Sequence, residues 1–119
     1  KVDEMYSADE TSAYLNEQPI HVNNEDILHG VYNISAHKDI VDWKKLTAKN
    51  MHVRCVWSSS IYHCWVASGK ISAAFHDVRS NIWDIMPGEF LIKQAGGIIF
   101  DVDNIRILAN SQSWADLLK

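Results

Sequence analysis

From residue 38 onward the apolar pattern switches period again and again, and this alternation constrains the fold more than any single motif. Lys38 to Lys49 carries Ile40, Val41, Trp43, Leu46 and Ala48 mainly on one side at helical spacing, with the lysines on the other, which predicts an amphipathic surface helix. Met51 to Trp57 reads as a strand. Ser58-Ser59-Ser60 then supplies hydroxyls to cap a helix carrying Ile61, Cys64, Trp65 and Ser68 at i, i+3, i+4, i+7, and Gly69 fits the position just past its end. Ile71 to Val78 is the next strand. Asp84 stands as a capping carboxylate ahead of the stripe Ile85, Gly88, Leu91, Ile92 and Ala95, with Pro87 in the first turn and Gly96-Gly97 as the stop. Ile98 to Phe100 and Arg106 to Ala109 are strands, and Ser111 or Ser113 caps a closing helix from Trp114 to Leu118. The order α, β, α, β, α, β, β, α predicts a layered α/β domain with a mixed, largely parallel sheet flanked by helices. Ahead of it, Asp3 to Ala8, Tyr14-Leu15 and Ile20 to Val22 around the turn Asn16 to Pro19 predict a hairpin of short strands, and Ile27 to Ile34 a buried strand.

Composition bounds the rest. With 119 residues, 47% of them hydrophobic, the chain builds one core, and no linker, repeat or low-complexity tract divides residues 1–119. No apolar run approaches the roughly 18 residues of a membrane span. A net charge of −4 gives no basic field for nucleic acid. Two cysteines without a C-x-x-C pair suit a reducing, cytoplasmic setting and are expected as buried free thiols. The opening Lys-Val-Asp-Glu carries no initiator Met and no signal-peptide pattern, as expected of a piece of a longer protein.

Most sites of chemistry are eliminated by spacing. The six histidines never fall at H-x-x-x-H, so they read as surface or satisfied core residues. Asp101-Val102-Asp103-Asn104 begins like a calcium loop, but Ile105 takes the next ligand position and Arg106 that of the required glycine. No phosphate-cradling glycine loop is present; Gly69, Gly88, Gly96 and Gly97 fit helix ends and packing. Two helix starts remain, Ser58 to Ser60 and Trp83-Asp84, together with Asp77 at a strand end. Facing one crevice, free amides suit a phosphate and the Asp84 carboxylate a hard divalent cation. On these residues alone the favoured reading is the plainer one, that Ser58 and Asp84 are only N-caps, each contributing about 1 kcal/mol to its helix.

The run Trp83-Asp84-Ile85-Met86-Pro87-Gly88-Glu89-Phe90-Leu91-Ile92-Lys93-Gln94-Ala95-Gly96-Gly97 resembles the second signature of the inositol monophosphatase family, W-D-x-x-x-G-x-x-L/I-x-x-x-A-G-G. Arg54-Cys55-Val56 into Ser58-Ser59-Ser60 and Cys64 to Gly69, then Asp101 to Asp103 and Ile107 to Asn110, are similar to the segments around it, and Asp3 to Val22 to the hairpin after the first signature. The resemblance implies the second half of an αβαβα sandwich, from a magnesium-dependent phosphatase about twice as long. By resemblance Asp84 is a metal ligand, Asp77 stands where a glutamate contacts substrate hydroxyls, and Ser58 and Ser59 lie where backbone meets substrate. The Asp-Pro-x-Asp-Gly-Thr/Ser signature that supplies the other metal carboxylates is absent from the chain, so no complete catalytic set is expected in it. The implied substrate is inositol monophosphate or a similar small phosphate monoester, and the implied assembly a homodimer. Fructose 1,6-bisphosphate, a nucleotide 3′-phosphate, or a non-catalytic interaction role are the alternatives. The sequence departs from the family pattern at Trp57, commonly glycine, at Asp77, at Glu10-Thr11-Ser12, which replaces a glycine-rich turn, and at Pro87, commonly a small residue.

Overall fold

A computed structural model describes residues 4–35, 43–77 and 82–118; the side chains of Trp43, Ser59 and residues 82–85 lie outside what it describes. The described elements are strands β1 (Tyr6–Ala8), β2 (Ala13–Leu15), β3 (Gln18–Ile20) and β4 (Tyr32–Ser35), helix α1 (Trp43–Lys49), β5 (Val53–Arg54), α2 (Ser59–Ala67), β6 (Ala73–Asp77), α3 (Ile82–Gln94), β7 (Ile98–Val102), β8 (Ile105–Ala109) and a closing 3-10 helix (Gln112–Leu118). The alternation expected from residue 38 is therefore present, with its final member a 3-10 rather than an α-helix. The first part of the expected 38–49 helix lies outside the described residues.

The amino-terminal hairpin is a three-stranded antiparallel meander in the order β1-β2-β3. Its second turn is the two residues Asn16 and Glu17, with φ of 51° and 70°, the left-handed pair that matches the twist of a tight hairpin. Pro19 belongs to β3 rather than to the turn, opposite Tyr14 on an edge strand where its missing N–H breaks no ladder.

The main sheet has five strands in the order β5-β4-β6-β8-β7. β4 runs parallel to β5 and β6, whereas β8 is antiparallel to both β6 and β7, so the sheet is mixed, with four of its five strands pointing one way and β8 against them. The cause is the short turn between β7 and β8, which folds β8 back into the sheet beside β6. Two expected strands shrink: 27–34 to β4, and 51–57 to the two residues of β5.

Strand alternation divides the core into two layers. Tyr32, Ile34, Ala73, Phe75, Ile105, Ile107 and Ala109 point to one face and meet Leu46, Trp114 and Leu117. Ala74 and Leu108 point to the other, against Tyr62, Val66 and Ala67 of α2, Leu91, Ile92 and Ala95 at α3, and Ala13 of the meander. The buried stripe of α2 is thus one register away from that expected; Ile61 is exposed and Cys64 and Trp65 only partly buried. Both helices close in the same way. The Lys70 and Gly69 amides donate to the Trp65 and Val66 carbonyls, and the Gly97 and Gly96 amides to those of Ile92 and Lys93. This is the Schellman arrangement, which Gly69 and Gly96 permit at φ of 80° and 89°.

Candidate functional site

Strands β4, β5 and β6 run in one direction, so their carboxyl ends share one edge of the sheet, and α2 and α3 start beyond it. In open α/β sheets this edge is where ligands bind. It receives Ser35 from the end of β4, Asp77 from the end of β6, Ser58 to Ser60 at the start of α2, and Asp84 as the third residue of α3. The topology therefore brings the backbone positions of all the residues singled out from sequence to one rim.

Their local roles differ from expectation. Ser58 is the N-cap of α2 in extended conformation, φ −82° and ψ 107°, and its carbonyl accepts from the amides of Ile61 and Tyr62 at 3.0 and 3.2 Å. Its hydroxyl makes no cap bond; the exposed Oγ lies 3.2 Å from Ser60 Oγ. The side-chain cap read from the serine run is thus not formed, which leaves first-turn amides of α2 without that internal acceptor. Ser59 is the first residue of the helix. Asp77 is partly buried and pairs with Ile105 across the sheet. Asp84 lies inside α3 rather than ahead of it, because the helix begins at Ile82; its carboxylate is outside the described atoms. The same early start puts Pro87 in the helix interior instead of the first turn, where it withholds one i to i−4 hydrogen bond.

Beneath the rim lies a polar cluster that the spacing of histidines did not disclose. His63 of α2 and His76 of β6 are both fully buried, with ring centroids 6.0 Å apart. His76 Nδ1 donates to the Asp77 carbonyl at 3.0 Å, which leaves Nε2 as a lone pair with no donor, and neither nitrogen of His63 has a partner. These are not satisfied core histidines. Burial first, and the neighbouring His76 second, push the His63 imidazole down to about 3; burial likewise lowers His76. Tyr62 stacks edge-on against His63 at 4.7 Å and accepts from Ser35 Oγ at 3.3 Å. On the same face Arg106 donates to Glu89 of α3 at 3.1 Å and to Asp101 of β7 at 2.8 Å, and holds the Asp101 carboxyl below its ordinary range. The signal available was strand alternation: Asn33, Ser35, Ala74 and His76 share one face, and α2 covers it through Tyr62 and His63.

Gly88 of the Trp-Asp signature belongs to this packing. A Cβ there would lie 1.9 Å from His63 Nδ1, so only glycine lets α3 cross α2 at this point. A groove of about 410 Å³ between β1, α2 and α3, lined by Tyr6, Ala8, Cys64, Phe90 and Leu91 among others, is mostly apolar. The free thiols are less buried than expected: Cys55 is exposed and Cys64 half-buried. Among the described residues, no three His, Cys, Asp or Glu side chains group closely enough to hold a metal ion. Nor is any described helix long and apolar enough to cross a membrane.

A layered α/β unit with a mixed sheet, helices on both faces and its candidate residues along one strand-end rim defines the broad class. Within it, residues 2–116 match the inositol monophosphatase family. The chain is 25% identical to inositol monophosphatase 1 of Solanum lycopersicum over 96% of its own length and 46% of that protein's. It is 28% identical to an inositol monophosphatase of Mesembryanthemum crystallinum, over 75% of this chain and 37% of that one. In structure it resembles the extragenic suppressor protein SuhB of Bartonella henselae, with a TM-score of 0.85 and 19% identity over 97% of this chain and 52% of that one. A solved inositol monophosphatase-fructose 1,6-bisphosphatase gives 0.80 and 27% over 96% and 51%. The chain belongs to the inositol monophosphatase family and spans about half the length of the relatives it matches.

Proposed function

We propose that this chain forms the substrate-side half of a phosphatase acting on inositol monophosphate or a similar small phosphate monoester. The observation that supports the reading is topological: the carboxyl ends of β4, β5 and β6 share one edge of the sheet, and Asp77 ends β6 while α2 and α3 begin after strands that end there. The amides at the start of α2 suit phosphate oxygens. Asp77 suits hydrogen bonds from substrate hydroxyls. In this reading Asp84 contributes one carboxylate to a magnesium site whose other ligands come from outside the described residues. The 119-residue chain alone is accordingly expected to be inactive, since one carboxylate does not hold a catalytic ion pair in place. The name of the solved relative that joins inositol monophosphate to fructose 1,6-bisphosphate chemistry supports keeping the bisphosphate as a second substrate.

The test is a chimera in which residues 4–118 replace the matching segment of the Solanum lycopersicum enzyme, assayed for phosphate release from inositol 1-phosphate, fructose 1,6-bisphosphate and adenosine 3′,5′-bisphosphate. Turnover of the first that is lost in Asp84→Asn is expected, with none from the chain alone. A folded chimera that hydrolyses none of the three, or turnover by the isolated chain, refutes the reading. Pairing of two copies belongs to the same proposal; Met51 and Trp57, 79% and 62% exposed, flank the edge strand β5 and support it.

A further inference from the structure

Neither ring nitrogen of His63, nor His76 Nε2, has a hydrogen-bond partner among the described residues. α3 crosses directly over the His63 ring, so closely that Gly88 cannot carry a Cβ. Both rings are sealed from solvent, and three of their four nitrogens have no partner. Among the described residues, the ionisable groups that face the pair come from α2, β6, α3, β7 and β8. α2 contributes the phenol of Tyr62, itself buried and held neutral by that burial. β6 contributes the partly buried Asp77, whose backbone carbonyl accepts a hydrogen bond from His76 Nδ1. α3 offers Glu89 and β7 offers Asp101, both engaged by Arg106 of β8. β4 contributes only the neutral Asn33 and Ser35. A proton added to His63 creates a buried donor with no acceptor, beside a second imidazole 6.0 Å away.

We propose that the His63–His76 pair is an acid-operated latch: while both rings are neutral they seat α3 on α2 and the sheet, and protonation frees α3 together with the turn that carries Asp84. The structural part stands on the geometry above; the consequence for Asp84 rests on the phosphatase reading. The sign follows from the direction in which burial acts. An imidazole whose folded value lies near 3 and whose free value is 6.5 binds its proton only after the site opens. The closed state is therefore fully favoured above pH 6.5 and loses ground as pH falls below it. At pH 5.0 opening is favoured about 30-fold more than at neutral pH for His63 alone, from the linkage between those two values.

Hydrogen exchange on the unmodified 119-residue chain tests this without any reference to turnover. Rates at pH 7.5 and pH 5.0 are corrected for intrinsic exchange and compared between Leu91 and Ile92 of α3 and Phe75 and Leu108 of the sheet. The expected result is a loss of roughly 30-fold in α3 protection at pH 5.0 with the sheet amides less affected. The His63→Leu/His76→Leu variant is expected to keep α3 protected at pH 5.0. Parallel changes in helix and sheet, no change at all, or a variant that retains the acid response overturn the proposal. If the variant does not fold, the histidine ring resonances of the unmodified chain decide: ordinary titration of both near 6.5 with α3 still protected refutes the latch. Because the phosphatase reading is tested by turnover at pH 7.5, the two fail separately.

Discussion

Replacing Gly88 with alanine probes the contact on which the α2–α3 interface turns. The added methyl falls 1.9 Å from His63 Nδ1, 2.5 Å from Cγ and 2.6 Å from Cβ. Ordinary carbon contacts begin near 3.5 Å, so the shortfall is about 1.6 Å. The imidazole is fully buried and cannot swing into solvent, and its own Cβ is among the clashing atoms, so α3 must move bodily off α2. Overpacking of this kind costs about 3 kcal/mol at the upper end of its usual range. Alanine recovers about 1 kcal/mol of helix propensity, leaving a net loss near 2 kcal/mol. Urea denaturation followed by tryptophan fluorescence measures it, in wild type and in a His63→Gly background, which removes Nδ1, Cγ and Cβ together and with them the clash. There Gly88→Ala is expected to stabilise by about 1 kcal/mol, a coupling of about 3 kcal/mol between the two positions. A Gly88→Ala change that costs the same in both backgrounds, or less than about 0.5 kcal/mol in the first, refutes the account of this signature glycine as a packing requirement.

Two further outcomes follow from the surface of the same fold. Arg106→Ala strands Glu89, whose side chain is only 14% exposed, and is expected to cost about 2 kcal/mol, whereas Asp101→Ala, at a carboxylate 45% exposed, costs less than about 1 kcal/mol; equal losses in denaturation contradict the burial argument. Glu17→Gly relieves a non-glycine residue at φ 70° in the β2–β3 turn and is expected to gain about 0.5–1 kcal/mol, read as a higher midpoint of thermal unfolding. A lower midpoint shows that the turn is not strained.

How far each feature was legible depended on the range of the interaction that creates it. Gly69 and Gly96 announce helix ends because a left-handed residue is needed there and the partners lie within five residues. The helix and strand periods from residue 43 to 118 are likewise written locally. The start of α3 is not legible locally, because Asp84 is acceptable as a cap and Pro87 in a first turn, and nothing nearby chooses between a helix capped by Asp84 and one that begins at Ile82. The serine run marks Ser58 as the head of α2, but its hydroxyl turns to Ser60, a choice between two short-range partners that composition does not make.

The sequence by itself determined the family, through the Trp83 to Gly97 signature, and the alternating elements that put Ser58, Ser59, Asp77 and Asp84 at strand and helix ends. Only the tertiary structure decided that these ends share one rim, that β8 inserts antiparallel between β6 and β7, and that His63 meets His76 under Gly88. Local patterns report which face of an element is apolar. Which faces meet is decided by packing all layers at once, across contacts between residues distant in the chain.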